Sequence, residues 1–165
     1  MARKPLMLPV VSLGAEHLVM GYLMRRNILT YKAPPNNEGY DLICIHPNPR
    51  KAKKQIRVQV KSRYQTDSNK AVFVGKDSLN AFDYLIAVFP NIGYFYGGMG
   101  QRGGRKEVEF YTLPRAFVRK HYVSVKSGMD RILLGKLDVS RYKNEKGFEL
   151  IARDLRIAYP RRPRE

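Results

Sequence analysis

Polar and apolar side chains alternate through residues 55–62, the most regular pattern along this chain. Three β-branched residues, at every second position from Ile56, fall on one side, and the residues between them are polar. Because successive side chains of a strand point to opposite faces, the pattern predicts a half-buried strand. Gln59 and Lys61 then lie next to each other on its polar face.

Other segments predict a layered arrangement around this strand. Helical spacing of apolar residues predicts a helix over 12–26 with Ser12 as its cap. The apolar run 83–89 is typical of a central strand covered on both faces. Further strands are predicted at 28–31, 41–46 and 71–74, with a hairpin of 94–96 and 107–112. A helical turn or short helix is predicted at 76–82, and helices at 114–121 and within 140–154. The segments 41–46 and 55–62 are expected to pair as an antiparallel hairpin. Together these elements predict an α/β (α+β) fold with a mixed sheet.

Length and composition indicate one domain over 1–158, followed by a basic tail at 159–165 with little to bury. A hydrophobic share of 44% is too high for a disordered chain. Cys44 is the only cysteine, which excludes a disulfide framework. No apolar run is long enough for a membrane span or a signal peptide, so we expect no membrane partner and a cytoplasmic, nucleoid-associated location.

The charge balance points to a polyanionic partner. The chain has 31 Lys and Arg residues against 14 Asp and Glu, a formal net charge of +17. Such an excess is typical of nucleic-acid binding, although a basic scaffold or ribosome-associated protein is the alternative. The candidate nucleic-acid-binding residues lie around the alternating strand and in a Gly-rich segment; they are Arg50, Lys51, Lys53, Lys54, Arg57, Arg63, Arg102 and Arg105.

A candidate for chemistry lies on the polar face of the alternating strand. Asp41, on a neighbouring strand, can join Gln59 and Lys61 in a small cluster of oxygen ligands with one amine. Hard cations such as Mg²⁺ prefer oxygen ligands, and a metal beside an amine can assist attack on a phosphodiester. The alternative is an ordinary solvated strand face with a strand-entry aspartate.

The order of these residues resembles the PD-(D/E)xK nuclease superfamily. Glu16 lies on the first helix, Gly39-Tyr40-Asp41 enters a strand, and Gln59-Val60-Lys61 lies on the next. The local sequence over about 12–120 is also similar to archaeal Holliday-junction resolvases and bacterial PD-(D/E)xK endonuclease-like proteins. The resemblance implies a restriction-endonuclease-like fold, a mixed central sheet flanked by helices, whose N-terminal helix carries an acid.

The resemblance also implies a function. Glu16, Asp41, Gln59 and Lys61 would form the catalytic site of an endonuclease that hydrolyses DNA, including structured or branched DNA. Asp41, Gln59 and Glu16 would hold Mg²⁺ (or Mn²⁺), and Lys61 would orient water or stabilise developing charge. Superfamily members often act as dimers, so a homodimer is implied as well. Gln59 departs from the usual acid, which favours, as the alternative, a catalytically weakened nucleic-acid-binding protein.

Overall fold

Seven strands and three α-helices make up the part of the chain that the computed structural model describes, residues 9–63, 70–91, 106–126 and 128–160. The helices are α1 (Pro9–Met24), α2 (Arg115–His121) and α3 (Glu145–Asp154). The strands are β1 (Leu29–Lys32), β2 (Leu42–Ile45), β3 (Gln55–Ser62), β4 (Ala71–Phe73), β5 (Tyr84–Phe89), β6 (Glu109–Pro114) and β7 (Arg131–Leu133). Short 3-10 segments occupy 76–80, 134–136 and 140–142.

The main sheet is mixed, as the sequence predicts. Its five strands have the order β1-β2-β3-β5-β6, and β4 and β7 pair separately. β3 is antiparallel to β2 and parallel to β5, so it lies at the centre with a different kind of neighbour on each side. The predicted bounds of β3 and its hairpin pairing with β2 are confirmed.

Both faces of this sheet are covered by apolar side chains. We call the face under α1 and α3 the first face; its core includes Val19, Leu23, Val58, Ile86 and Phe148. The second face lies under α2 and the β4–β7 pair, and its core includes Leu85, Phe89, Tyr111, Val118 and Ile132. Every residue of β5 is buried, which confirms the prediction of a central strand covered on both sides.

Some element bounds differ from those predicted. α1 begins at Pro9 rather than near residue 12, so Ser12 lies inside the helix and does not cap it. Proline suits a first helical turn because the amide that it lacks has no partner there. The helix ends at Met24, and Asn27, the predicted stop, lies in the turn that follows with a left-handed φ of 64°. The amide of Ile28 then bonds back to the carbonyl of Leu23 at 3.1 Å.

The later segments show two further differences. The helical turn or short helix predicted over 76–82 is a 3-10 segment that ends two residues early, at Asn80, since only a short connection joins β4 to β5. β6 begins at Glu109 and pairs with β5, whereas its predicted hairpin partner at 94–96 lies outside the described residues. Tyr159, predicted to open the tail, packs against the first-face core, and 161–165 also lie outside the described residues. None of the described helices is long and apolar enough to cross a bilayer.

α3 lies close against the sheet at Gly147. A Cβ at this position would lie 2.2 Å from the carbonyl oxygen of Tyr142 and 2.8 Å from the side chain of Thr112 on β6. Thr112 is completely buried. Only glycine therefore fits between α3 and β6 at this point.

We expect Gly147→Ala to lower the free energy of unfolding by about 1–3 kcal/mol, because the added methyl group overpacks a fixed site. Gly14→Ala is the matched control, since a Cβ on Gly14 in α1 meets nothing within 4 Å. That control should stabilise the protein by up to about 1 kcal/mol through helix propensity. Urea denaturation of both variants checks the prediction, and equal stability of the two would contradict it.

Candidate active site

A tight turn delivers Asp41 to the start of β2. Gly39 has a φ of 90°, and a Cβ there would lie 2.2 Å from the Cβ of Ala81. Both its conformation and its surroundings therefore require glycine. The amide nitrogen of the Asn37 side chain donates to the carbonyl of Tyr40 at 2.9 Å. The close packing of Gly39 and the hydrogen bond from Asn37 thus fix the backbone of the turn just before Asp41.

The carboxylate of Asp41 is bound to the backbone of β3. Its Oδ2 accepts the amide of Val60 at 2.7 Å, and its own amide donates to the carbonyl of Val58 at 2.9 Å. The other oxygen, Oδ1, has no hydrogen bond within the described residues. Asp41 therefore has one oxygen that fixes its position and one that is available to a ligand.

The amide of Gln59 lies beside this carboxylate and is buried. Val58, which precedes Gln59, is paired with Leu42, which follows Asp41, so the two residues are neighbours across β2 and β3. Gln59 is 5% exposed, and its Oε1 has no hydrogen-bond partner in the described structure. A buried acceptor without a partner is costly unless a ligand satisfies it.

Lys61 follows on the same face of β3. It is half-buried and lies opposite Ala87 on β5. No described carboxylate forms an ion pair with its amine. The charge of Lys61 is therefore free to act on an incoming anion.

Glu16 has a different environment. It lies on α1, over the first face, and forms an ion pair with Lys32 at the end of β1. Lys32 is paired with Leu42, so Glu16 reaches the same end of the sheet as Asp41. No hydrogen bond joins Glu16 to Asp41 or Gln59 within the described residues. The structure thus brings Asp41, Gln59 and Lys61 together and holds Glu16 on Lys32.

The oxygen donors suit a hard divalent cation. The unpartnered oxygens of Asp41 and Gln59 are both of the type that Mg²⁺ accepts, and Glu16 is the only further acid of the predicted set. No three His, Cys, Asp or Glu side chains in the described ranges are grouped to hold a metal. Because the set contains an amide in place of a carboxylate, it has less negative charge, and weaker metal affinity follows.

A charged cluster that the sequence did not reveal lies across Ala87 from Lys61. Ala87 is paired with Lys61 on one side and with Tyr111 on the other. The hydroxyl of Tyr111 donates to Glu109 at 2.5 Å and accepts from the amine of Lys70 at 2.9 Å. Lys143 lies 3.5 Å from the carboxylate of Glu109.

This cluster keeps Glu109 ionised. Burial alone would raise the pKa of the Glu109 carboxyl, but the hydrogen bond from Tyr111 and the charges of Lys143 and Lys70 outweigh it and lower that pKa. Lys70 and Lys143 are distant in sequence from Glu109 and Tyr111, so no local motif connects all four residues. The alternation of Glu109 and Tyr111 along β6 was the only signal that they share a face.

The candidate nucleic-acid-binding residues occupy different places. Arg102 and Arg105 lie outside the described residues. Arg63 donates its side chain to the carbonyl of Ala71 at 3.0 Å. The remaining loop cations, Arg50, Lys51, Lys53 and Lys54, precede β3 and lie at the opposite end of that strand from Lys61.

Arg57 is bound to an internal carboxylate. Its backbone amide donates to Asp83 Oδ2 at 2.8 Å, and its guanidinium lies 3.3 Å from both carboxylate oxygens. Burial raises the pKa of Asp83, but the hydrogen bonds from Arg57 and the charge of Arg115 outweigh burial and hold it below its ordinary value. Arg57 therefore has a structural partner already.

We expect Asp83→Asn to lower the free energy of unfolding at pH 7 by about 1–2 kcal/mol, since the pair is partly exposed. The pKa of Asp83 is lower in the folded state than in the unfolded state. Its stabilisation is therefore present at neutral pH and is lost as the pH falls below about 4. Denaturation at several pH values checks this. Asp77→Asn, at an exposed acid, is the control, and a difference from wild type that does not change with pH would contradict the prediction.

Comparison with solved structures identifies the class of fold. The chain is similar to the bacterial homing endonuclease I-Ssp6803I, with a TM-score of 0.55 and 16% identity over 90% of this chain and 93% of that chain. Hjc, a Holliday junction resolvase from Archaeoglobus fulgidus, gives a TM-score of 0.48 and 10% identity over 91% of this chain and 99% of that chain. No protein-family profile and no curated protein sequence matches. The chain thus has a restriction-endonuclease-like α+β fold, which it shares with the homing endonuclease.

Proposed function

We propose that this protein is a Mg²⁺-dependent endonuclease that hydrolyses phosphodiester bonds of DNA, including structured or branched DNA. The observation that carries the proposal is the juxtaposition of the Asp41 carboxylate with the buried amide oxygen of Gln59 and, on the same face, the amine of Lys61. Among the described residues, neither the Gln59 oxygen nor the Lys61 amine has a partner. The shared fold with a homing endonuclease and the charge of +17 support it.

Each of the three residues has a distinct role in this proposal. Asp41 and Gln59 each offer an oxygen that has no hydrogen-bond partner among the described residues, and Glu16 is available from the middle of α1. These oxygens would hold Mg²⁺, which would supply the Lewis acidity that activates a water molecule and offsets negative charge on the phosphate. The amine of Lys61 orients the attacking water and donates to the phosphate oxygen on which negative charge develops.

The other proposed properties follow from the same features. DNA is the partner because it is the polyanion that the shared fold and the basic charge suit together. Cys44 has no second cysteine with which to form a disulfide, as is usual in proteins of reducing compartments, and we propose the cytoplasm, where the nucleoid supplies DNA. Two copies of the chain would cut both strands of a duplex.

A second candidate function is nucleic-acid binding without cleavage. Two observations favour it: Gln59 is neutral where an acid is usual, and Glu16 is held in an ion pair with Lys32. Both reduce the negative charge that a divalent cation would meet. In this case the fold and the basic surface would be retained for binding alone.

We expect Lys61→Ala to lower the rate of cleavage by at least about 100-fold, because it removes a donor aimed at developing charge. The assay uses supercoiled plasmid, linear duplex and a four-way junction, each with Mg²⁺ or Mn²⁺. Lys136→Ala, at an exposed lysine beyond β7, is the control and should cut like wild type. The nuclease proposal fails if no substrate is cut, or if Lys61→Ala and Lys136→Ala cut equally well.

We expect Gln59→Glu to strengthen metal binding, since it restores a carboxylate beside Asp41. In the absence of metal the variant should unfold more easily than wild type, because a buried carboxylate lies near another, and Mg²⁺ should reverse this loss. Thermal melting with and without Mg²⁺ measures the effect, and Gln59→Leu, which has no oxygen donor, is the control. A gain of cleavage supports the nuclease; a gain in metal response with no cleavage of any substrate supports the binding protein.

A further inference from the structure

A second cationic surface lies at the other end of β3. The loop between β2 and β3 and the end of α3 enclose a groove of about 680 Å³, which we call the loop groove. Its charged lining consists of Arg50, Lys51, Lys53, Lys54, Arg156 and Asp154. Five cations therefore share one concavity with a single acid.

Internal partners do not balance this charge. None of the five cations forms an ion pair with a carboxylate in the described part of the chain. The acid, Asp154, accepts a hydrogen bond from the hydroxyl of Tyr84 at 2.8 Å and is thereby held on β5. Grouped like charges repel one another, so this arrangement is stabilised by an external polyanion.

Both walls of the loop groove are fixed by backbone contacts. In the loop, the side-chain oxygen of Asn48 accepts a hydrogen bond from the amide of Arg50 at 3.0 Å. The backbone carbonyl of Asn48 accepts one from the amide of Lys51 at 2.9 Å. On the other wall, Leu155 is buried in the first-face core, and the amide of Ile157 bonds to the carbonyl of Ala152 at 2.8 Å. The cations are thus presented from ordered backbone rather than from a free tail.

A neutral donor also lines the loop groove. The Nδ1 of His46 accepts the amide of Asn48 at 3.0 Å, which leaves Nε2–H as the donor of the ring. Phosphate oxygens accept hydrogen bonds from such donors as well as from Lys and Arg. Cationic and neutral donors therefore meet in one groove, as recognition of a sugar–phosphate backbone requires.

The loop groove and the candidate active site lie at opposite ends of β3 and on different faces of the sheet. Lys61 lies six residues along β3 from Gln55, which at a rise of about 3.3 Å per residue is roughly 20 Å. Its side chain belongs to the second face, whereas α3 packs on the first face. The separation and the opposite faces favour contact with two DNA segments, or with a bent one, over contact with one straight duplex.

We propose that the loop groove binds the phosphate backbone of a second DNA segment, distinct from the segment that lies at Lys61. The proposal rests on DNA as the substrate, and it specifies that substrate further: two duplex segments, or a bent one, are held by one protein copy. A branched or sharply bent DNA can occupy the loop groove and the surface at Lys61 at once, whereas a short straight duplex occupies only one of them.

The test measures binding without cleavage, in EDTA, with the full chain. The groove variant is Arg50→Gln/Lys53→Gln/Lys54→Gln, at three exposed positions. The charge-matched control is Lys120→Gln/Lys126→Gln/Lys136→Gln, also exposed and distant along the chain. Each protein is titrated with a four-way junction and with a 12-base-pair duplex at several salt concentrations.

The groove variant should bind the junction at least about 10-fold more weakly than the control variant, and the slope of log K against log salt should fall by roughly 2–3 for three lost phosphate contacts. Its affinity for the short duplex should stay within about 3-fold of the control. Arg156→Asn, which tolerates the φ of 57° at that position, should weaken junction binding from the other wall. Equal junction binding by the groove and control variants, or an equal loss on both DNAs, overturns the proposal.

Failure of this proposal can be separated from failure of the nuclease. If the groove variant loses junction binding but wild type cuts no substrate, the proposal for the loop groove is supported and the catalytic proposal is wrong. If wild type cuts plasmid and the groove variant binds the junction like the control, the nuclease stands and the second segment falls. If wild type binds neither DNA, both fall.

Discussion

The parallel pairing of β3 with β5 is the contact on which the rest of the structure depends. Asp83 fixes its start: its carboxylate accepts the amide of Arg57, and its own amide donates to the carbonyl of Arg57 at 2.8 Å. From there the register places Gln59 beside Leu85 and Lys61 beside Ala87. A shift of one residue would turn both polar side chains to the first face and into its apolar core. The register therefore sets both the packing of the sheet and the composition of the candidate site.

Much of the fold follows from patterns that depend on neighbouring residues alone. The alternation over Gln55–Ser62 and the apolar run of β5 predicted the two central strands. Burial on one face gives alternating polar and apolar residues, and burial on both faces gives a continuous apolar run. The start of α1 and the strand β7 were missed. α1 is apolar around most of its circumference, so its periodicity marks no start, and β7 has only three residues.

The candidate site was predictable to a lesser extent. Asp41, Gln59 and Lys61 were expected together because a hairpin brings adjacent strands into contact, and the structure places them so. The cluster of Glu109, Tyr111, Lys70 and Lys143 has no such local signal, since it depends on which strand follows β5 in the sheet. The loop cations directly precede β3 in the sequence, but they lie at the opposite end of this strand from Lys61. Closeness in sequence therefore did not indicate closeness to the candidate site.

The hydrogen bond between Asp41 and Val60 has a consequence for the entropy of ligand binding. Because one carboxylate oxygen is held by the backbone of β3, the side chain has lost its rotational freedom already on folding. Gln59, buried beside it, is likewise restricted. A cation bound between them would have little left to order, so its affinity would depend on charge and desolvation rather than on rearrangement of the protein. The rigidity of the sheet would thus lower the entropic cost of binding a cation at this site.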